Sequence, residues 1–348
     1  MPAGEAGTYW YHPHAHGCIA RQMWMGLAGG IVIRGPAEQE SELALCDDRL
    51  VVLRDLGIAG DAPAPHMPHD WHTGKEGPLL LANGRIAPDL QARADLVRLR
   101  LVNAANARTF RIARADGRPL VVIALDGRLL AEPVEMDGLE LAPGQRADLL
   151  VAAREEPVEL VAKHARRGVP SPRPRRSRLL RILPARDAKR LPLPRRLGDP
   201  AAWGAGVPVA GGRRITMAMF LLDGRPYRPG RIDVRARLGT AEIWRVVNVG
   251  TMHHPFHLHT WPFRPLSRNG RPWPFPCVLD TVDLAPGDEV ELLVPFTHNH
   301  GTTVYHCHIA EHGDRGMMGT IRVDDGLPWQ GPVGTDAICG FRGRGAGP

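Results

Sequence analysis

The chain has 348 residues, more than one hydrophobic core supports, so its length predicts two or three domains. With 39 glycines, 33 prolines and only 23% charged residues, it favours short strands joined by turns over long helices, and we predict an all-β fold. Long uncharged apolar runs are absent, and so is a basic-then-apolar start, so we expect neither a membrane span nor a targeting segment in this sequence.

The chain opens with residues 1–43, which are too short for a sandwich of their own. An internal repeat organises the rest of the chain. Asn83-Gly84-Arg85, the strand-like residues 97–103 and Leu141-Ala-Pro-Gly144 recur, about 140 to 145 residues later, as Asp223-Gly224-Arg225, residues 243–248 and Leu284-Ala-Pro-Gly287. The apolar runs in each copy are short and bounded by Gly, Pro, Asn or Asp, which is typical of β-sandwich strands. We therefore predict two sandwiches, at 44–185 and 213–325, joined by a Pro/Arg-rich connector at 186–212 and followed by a tail at 326–348.

The formal net charge of +7 comes from one stretch. Residues 166–196 hold twelve Arg or Lys against a single acidic residue, Asp187. A nucleic-acid site of this size interleaves aromatic residues with its cations, whereas this stretch interleaves prolines. We predict a solvated connector and no nucleic-acid partner.

The five cysteines predict no disulfide framework, because they are odd in number, widely spaced and without a CxxC pair. Any pairing among Cys18, Cys46, Cys277 and Cys339 stays open. Cys307 differs from the others because it lies between two histidines.

The segment His306-Cys307-His308, followed by His312 and Met317, carries the strongest chemical signal. On a strand, the two histidines would face one way and the cysteine the other, so one strand could serve two metal sites. A thiolate with two imidazoles and a weak thioether is the donor set of blue copper. The alternative is a buried cysteine among ordinary histidines and a core methionine.

Two further histidine clusters weaken that alternative. His254 lies about fifty residues earlier and is placed to be the second imidazole of the Cys307 site, while His257 and His259 alternate onto one face. His12 and His14 form another pair near the start. We read His16 as a structural group or one that supports a ligand, since Gly17 predicts a turn, and read the remaining histidines as surface or supporting groups: His66, His69, His72, His164, His298 and His300.

These clusters resemble three of the four copper motifs of the multicopper oxidases, especially bacterial laccases, cuprous oxidases and bilirubin-oxidase-like proteins. The resemblance runs over nearly the whole chain and includes Arg21-Gln22 and Met25-Gly-Leu-Ala-Gly. It implies tandem cupredoxin-like Greek-key β-sandwiches, two complete and preceded at residues 1–43 by the C-terminal remnant of a first. It also implies a periplasmic or extracellular location.

The resemblance further implies copper as cofactor, four ions in a full-length relative and fewer in this chain. It assigns the type 1 copper to His254, Cys307, His312 and Met317, the type 2 copper to His257, and the type 3 pair to His12, His14, His259, His306 and His308. The implied reaction couples one-electron oxidation of phenolic or aromatic substrates, or of metal ions, to reduction of dioxygen to water. Cys307, His306 and His308 would carry the electrons.

The sequence departs from the family at two places. The first motif, His-Trp-His-Gly, is absent, so eight of the usual ten copper-binding histidines are present, and His69-Asp70-Trp71-His72 has the wrong place and order to replace it. We expect a truncated start rather than a rebuilt cluster. Gly313 stands where some relatives carry an acid thought to deliver protons, and Glu311 and Asp314 are the neighbouring candidates.

Two other readings stay open. One is an electron-transfer protein that keeps the type 1 site but cannot reduce dioxygen. The other is a cupredoxin scaffold that has lost its metals, which the four intact type 1 ligands disfavour. The connector lacks methionine, so it does not resemble the Met-rich insert of cuprous oxidases, and this favours organic substrates.

Overall fold

The computed structural model describes residues 5–39, 41–174 and 177–325. These residues are nearly all in strands and turns, which confirms the predicted all-β, cupredoxin-like fold class. None of the helices in this part of the chain is long and apolar enough to cross a membrane. The predicted tail at 326–348, with Cys339, lies outside the described residues.

The first segment is a small antiparallel ribbon with a helix between its strands. Its elements are β1 (Gly7–Tyr11), α1 (Ile19–Trp24), β2 (Gly29–Ile33), α2 (Pro36–Gln39) and a 3-10 helix (Glu42–Leu45). His12 and His14 follow directly after β1, in irregular chain that turns at Gly17, where φ is +84°. The turn predicted at Gly17 is present.

Two sheets form the first sandwich. Its elements are β3 (Asp47–Leu56), β4 (Ile58–Ala59), β5 (Ala62–Pro63), α3 (Asp70–Thr73), β6 (Leu79–Ala82), β7 (Asp89–Gln91), β8 (Leu96–Asn103), β9 (Phe110–Arg114), β10 (Leu120–Leu125), β11 (Arg128–Met136), β12 (Leu139–Leu141), β13 (Arg146–Ala152), β14 (Val158–Lys163) and β15 (Arg178–Leu183). The strand orders are β11-β10-β13-β8-β3-β6 and β12-β9-β14-β15-β7, and β4 and β5 form a separate hairpin.

The second sandwich contains the cysteine–histidine segment. It follows a 3-10 helix (Pro200–Ala202) and consists of β16 (Val209–Ala218), β17 (Leu221–Leu222), β18 (Val234–Arg237), β19 (Thr240–Asn248), β20 (His254–Leu258), β21 (Arg264–Arg268), β22 (Arg271–Pro272), β23 (Thr281–Leu284), β24 (Glu289–Phe296), β25 (Gly301–Cys307), α4 (Ala310–Asp314) and β26 (Met318–Asp324). Its sheets have the orders β17-β16-β19-β24-β21-β22 and β18-β26-β25-β20-β23.

The two sandwiches have the same topology, as the sequence repeat predicts. Read from opposite ends, the strand orders match one for one, including the parallel pairs β3–β8 and β16–β19. Equivalent asparagines end β8 and β19. The Asn103 Nδ2 donates to two main-chain carbonyls at 2.8 Å, and the Asn248 Nδ2 does the same at 2.8 and 2.9 Å. Each amide thereby fastens the loop that follows its strand.

The ribbon lies against the outer face of the first sandwich. All eight residues of β8 are buried, so this strand does not alternate between core and solvent. Its outward side chains include Arg98, which donates to Glu38 and Asp148 at 2.7 and 2.6 Å. A buried arginine is tolerated when carboxylates satisfy its donors. The pair with Glu38 ties α2 to the sandwich, and Asp148 also accepts from the Thr8 hydroxyl of β1 at 2.9 Å, so these contacts place the ribbon and with it the first histidine pair.

The basic stretch is less solvated than predicted. Arg167 is only 3% exposed and pairs with Glu76 at 2.6 Å, and residues 178–183 form β15 inside a sheet. Strand β16 begins at Val209, within the range predicted as connector. Charge density along the sequence could not reveal these contacts, because the partner of Arg167 is some ninety residues away.

We expect Asn103→Ala and Asn248→Ala each to lower the free energy of unfolding by about 2 to 4 kcal/mol, since each leaves two buried carbonyls without a donor. Urea unfolding followed by far-UV circular dichroism measures both variants. An unchanged urea midpoint in either one would contradict the role of these amides.

Candidate metal centre

Three side chains of the second sandwich meet in a buried pocket that we call the thiol site. Cys307 ends β25, His254 begins β20 and His312 lies in α4, and all three are 0% exposed. The Cys307 Sγ lies 3.6 Å from the Nδ1 of His254 and 3.7 Å from that of His312. Met317 is also fully buried, and its carbonyl accepts a hydrogen bond from the Cys307 N–H at 3.0 Å. One soft sulfur with two imidazole nitrogens is a donor set that suits copper.

Burial keeps both imidazoles of the thiol site neutral. Loss of hydration, followed by the effect of neighbouring positive charge, lowers the pKa of His254 to about 3, and burial lowers the pKa of His312 to about 4. Burial also raises the pKa of the Cys307 thiol far above its usual value. The pocket thus offers two nitrogen donors, and its thiol deprotonates only when a bound cation compensates the charge.

The first sandwich orients His312. The Nε2 of His312 donates to the main-chain carbonyl of His72 in α3 at 2.9 Å. Arg167 holds α3 in place, since its guanidinium donates to the Thr73 carbonyl at 3.0 Å and to Glu76 at 2.6 Å. With Nε2 occupied, the Nδ1 of His312 faces Cys307 as a ligand atom.

Six histidines gather on the other side of Cys307, and we call them the histidine cluster: His12, His14, His257, His259, His306 and His308. The Nε2 of His306 lies 3.3 Å from that of His14 and 3.0 Å from that of His259. The ring centroid of His308 lies 5.2 Å from that of His257 and 5.5 Å from that of His12. His306 and His308 face the cluster while Cys307 faces the thiol site, which is the alternation expected along this segment.

Main-chain carbonyls set the tautomer of three cluster rings. The Nδ1 of His12, His257 and His306 lies 3.0, 2.8 and 2.9 Å from a carbonyl oxygen, respectively. A carbonyl only accepts, so each Nδ1 carries the proton and each Nε2 presents a lone pair. In His306 that lone pair points at two other ring nitrogens, an arrangement that a bound cation stabilises. The cluster therefore fits a metal that imidazole binds well, such as copper.

Burial again favours the neutral rings. It lowers the pKa of His12 to about 4 with a contribution from the charge of His14, and it lowers the pKa of four more cluster members: His14, His259, His306 and His308. These five rings are therefore ready to bind a metal without first releasing protons.

A buried arginine joins the cluster to all three parts of the molecule. Arg146 donates to both carboxylate oxygens of Asp280 at 2.7 and 2.6 Å and to the carbonyls of Thr8 and Asp126 at 3.2 and 3.0 Å. The carbonyl of Asp280 in turn accepts from the Nδ1 of His257. The ribbon and both sandwiches therefore meet directly beside this ring.

A cavity of about 400 Å³ opens beside the cluster. Its walls include three imidazoles, one indole and the Arg146–Asp280 ion pair: His12, His257, His259, Trp10, Arg146 and Asp280. This side of the cluster therefore borders open space, whereas the thiol site is fully buried.

Other residues singled out in the sequence have different surroundings. His16 is exposed, and its ring is tilted by 57° against that of Tyr227 at a centroid distance of 4.9 Å. Glu311 is fully buried, and its Oε1 accepts from His66 Nε2 at 3.0 Å and from Asn106 Nδ2 at 2.8 Å. Five more histidines outside the two sites are exposed: His69, His72, His164, His298 and His300.

Asp314 has a structural role. Its carboxylate accepts from the main-chain N–H groups of Gly17, Ile19 and Ala20 at 2.8, 3.2 and 2.8 Å. It thereby ties the start of α1 to α4. None of the four cysteines in the described part of the chain forms a disulfide.

Sequence reasoning missed the contributions of the first sandwich: Gly144, Arg146, Arg167, Asp126 and the carbonyl of His72. Gly144 belongs to the repeated Leu-Ala-Pro-Gly motif and lies against the His308 ring, whereas its counterpart Gly287 has open space around it. The motif therefore predicts the repeated fold, and only the packing between the sandwiches gives the two glycines different surroundings.

Comparisons with known proteins point to one family. Family models described as multicopper oxidase match residues 2–38, 91–161 and 207–326. The multicopper oxidase mco of Staphylococcus haemolyticus is 29% identical over 332 residues, which cover 92% of this chain and 68% of that protein. The cell division protein FtsP of Edwardsiella tarda is 32% identical over 91% of this chain and 71% of its own. A solved structure of CueO, a laccase-like multi-copper oxidase from Ochrobactrum sp., has a TM-score of 0.81 and 31% identity, over 92% of this chain and 77% of that one.

We expect Gly144→Ala to disrupt the histidine cluster selectively. A Cβ at Gly144 would lie 2.3 Å from the His308 ring, whereas one at Gly287 meets nothing within 4 Å, although both glycines have φ above +80°. Copper bound per chain after dialysis should fall in Gly144→Ala and stay at the parental level in Gly287→Ala. Equal losses in the two variants would show that backbone strain, and not the ring contact, is responsible.

The metal-free chain should lose stability as the pH falls from about 6.5 to about 4. Unfolded histidines bind protons in this window, but burial holds the folded pKa of His12 and His312 to about 4 and that of His254 to about 3, so the unfolded state takes up more protons. The urea midpoint, measured from pH 7.5 to 4.5, should decline less steeply in His254→Gln than in the parent. His298→Gln, at an exposed position, serves as the control and should keep the parental decline. If the urea midpoint of His254→Gln also falls with pH as steeply as that of the parent, this origin of the acid sensitivity is contradicted.

Proposed function

The chain belongs to the multicopper oxidase family of copper-containing oxidoreductases, and from this premise we propose that it is a laccase-like oxidase. In the proposed reaction, one-electron oxidations of phenolic or aromatic substrates, or of metal ions, supply the four electrons that reduce dioxygen to water. The observation that carries this proposal is the position of Cys307, whose side chain enters the thiol site while its two sequence neighbours enter the histidine cluster.

The proposed ligand sets follow the two sites. Type 1 copper would be held by the thiol site and Met317: His254, Cys307, His312 and Met317. Type 2 copper would be held by His257, and the type 3 pair by the rest of the cluster: His12, His14, His259, His306 and His308. Bound copper supplies one-electron redox chemistry at the first site and reaction with dioxygen at the second.

The protein contributes fixed geometry. Each type 1 imidazole presents its Nδ1 to the sulfur at 3.6 or 3.7 Å, and the Nε2 of His312 is held by the His72 carbonyl. All four proposed type 1 ligand side chains are fully shielded from water. Ligands that cannot move with the oxidation state lower the reorganisation that accompanies each electron transfer. The covalent chain from Cys307 to His306 and His308 is then the shortest electron path between the sites.

Glu311 fits proton delivery better than Asp314. All three of the hydrogen bonds described for Asp314 go to main-chain N–H groups, so its carboxylate is needed to hold α1. Glu311 is buried, its Oε1 meets the Nε2 of His66 at 3.0 Å, and its Oε2 has no hydrogen-bond partner among the described residues. We assign the proton relay to Glu311, with the Nε2 of His66 as its hydrogen-bond partner.

A second candidate function is electron transfer without dioxygen reduction. The thiol site is complete in this chain, whereas the cluster has six histidines and an open cavity beside it. A third reading, a metal-free scaffold, conflicts with the buried donor set of the thiol site. We place the protein in the periplasm or outside the cell, by analogy with the family, and favour organic reductants because the connector lacks methionine.

Copper content, visible absorption and dioxygen uptake of the copper-loaded chain decide among these functions. An oxidase should show an intense blue thiolate band, more than one copper per chain, and one dioxygen consumed for every four electrons from a phenolic reductant. One copper with the blue band and no dioxygen uptake would establish the electron-transfer reading.

Cys307→Ser provides the matched control. It should lose the blue band and all oxidation of the reductant while the histidine cluster keeps its copper. A blue band that persists in this variant would contradict the assignment of the thiol site.

A further inference from the structure

The tip of the β16–β17 hairpin holds Phe220 in an unusual backbone conformation. Its φ is +64°, in the left-handed region that bulky residues rarely adopt. Such conformations persist where the surrounding structure enforces them, and they concentrate at functional sites. Gly316 lies against this tip, since a Cβ there would be 3.6 Å from the Phe220 carbonyl and 3.2 Å from Pro226.

The consequence of this conformation is a ring placed edge-on to His312. The centroids of Phe220 and His312 are 5.6 Å apart with an interplanar angle of 84°. The Phe220 ring has two further neighbours. Its centroid lies 5.4 Å from that of the His72 ring, and the Arg315 guanidinium lies over the Phe220 ring at 4.9 Å from its centroid. Phe220 therefore links a buried side chain of the thiol site to two exposed residues.

A reductant cannot touch His312 itself. This residue is 0% exposed, and its Nε2 is already bonded to the His72 carbonyl. The outermost groups along this route are the His72 ring, the edge of Phe220 and the Arg315 guanidinium, which together we call the docking face. Electrons that reach the thiol site from this side must cross the docking face.

The docking face is aromatic and positively charged. Arg315 is exposed, and Arg21 lies nearby over the ring of Trp71, the neighbour of His72, at 5.7 Å. The two carboxylates of α4 are turned away from these cations, because Asp314 accepts from three main-chain N–H groups at the start of α1 and Glu311 is fully buried against His66 and Asn106. Planar anions are favoured by such a surface, through stacking on the rings and attraction to the guanidinium.

We propose that the docking face receives the reductant and selects anionic aromatic molecules, such as phenolates and aryl sulfonates or carboxylates. The proposal rests on the thiol site binding type 1 copper. In each event the aromatic anion loses one electron and leaves as a radical, and the bound copper changes from the +2 to the +1 state. A metal-ion reductant would meet Arg315 here instead of the carboxylate or thioether donors it prefers.

Anaerobic stopped-flow bleaching of the blue band tests this without turnover. Two aromatic reductants of matched potential are compared, one sulfonated and one neutral, at low salt. Arg315→Gln should lower the second-order rate constant for the sulfonated reductant by about tenfold, in the range of electrostatic steering, and change that for the neutral one less than about twofold. Arg315→Lys should retain most of the preference, and Phe220→Leu should slow both reductants.

The controls separate this inference from the proposed function. Arg118→Gln, at an exposed position of the first sandwich, should leave both rate constants unchanged. The Arg315 variants should keep the parental blue band and reduction potential, since the Arg315 guanidinium lies over the Phe220 ring and not against a ligand. An Arg315→Gln variant with an unchanged ratio of rate constants would overturn the docking face while leaving the thiol site standing. Absence of the blue band from the parent would overturn both.

Discussion

The contact of Arg146 with Asp280 is the interaction on which the arrangement of the site depends. Both carboxylate oxygens of Asp280 accept from the guanidinium, and the same arginine donates to carbonyls of the ribbon and of the first sandwich. Such a buried pair is stable only when all its donors and acceptors are satisfied, and this one achieves that across three segments. Since the histidines come from the ribbon and from the second sandwich, their meeting requires this junction.

Burial then gives these histidines their chemistry. A buried imidazole stays neutral well below its usual pKa, and the carbonyls around the cluster hold the proton on the nitrogen that faces away from it. The same burial is unfavourable to the metal-free protein in acid, because protonation then favours the unfolded chain. Metal binding and stability are thus two consequences of one arrangement, and copper should stabilise the fold as it fills the sites.

Much of the fold and of the site could be predicted from the sequence, because local patterns carry them. The repeat predicted two sandwiches of equal topology, and period-two alternation predicted that Cys307 would turn away from His306 and His308. The parts that could not be predicted depend on packing between distant segments. Gly144 and Gly287 share a motif but only Gly144 contacts a histidine, and Arg167 is buried although the sequence around it is highly basic. His72 acts through its main-chain carbonyl, a group that every residue type has.

Phe220 illustrates the same limit. A phenylalanine in a strand-rich sequence predicts core packing, and neither its left-handed backbone nor its place between His72 and His312 could be read from residue type. Local rules fail where the surrounding structure forces a conformation, and functional positions are often found at such places.

X-ray absorption at the copper edge, on the chain loaded with one equivalent of copper, tests the central claim most directly. We predict that this copper has one short bond to sulfur together with nitrogen neighbours, and that Cys307→Ser removes the sulfur signal. A copper surrounded only by nitrogen and oxygen, in the parent chain at full loading, would contradict the assignment of Cys307, His254 and His312 as one metal site.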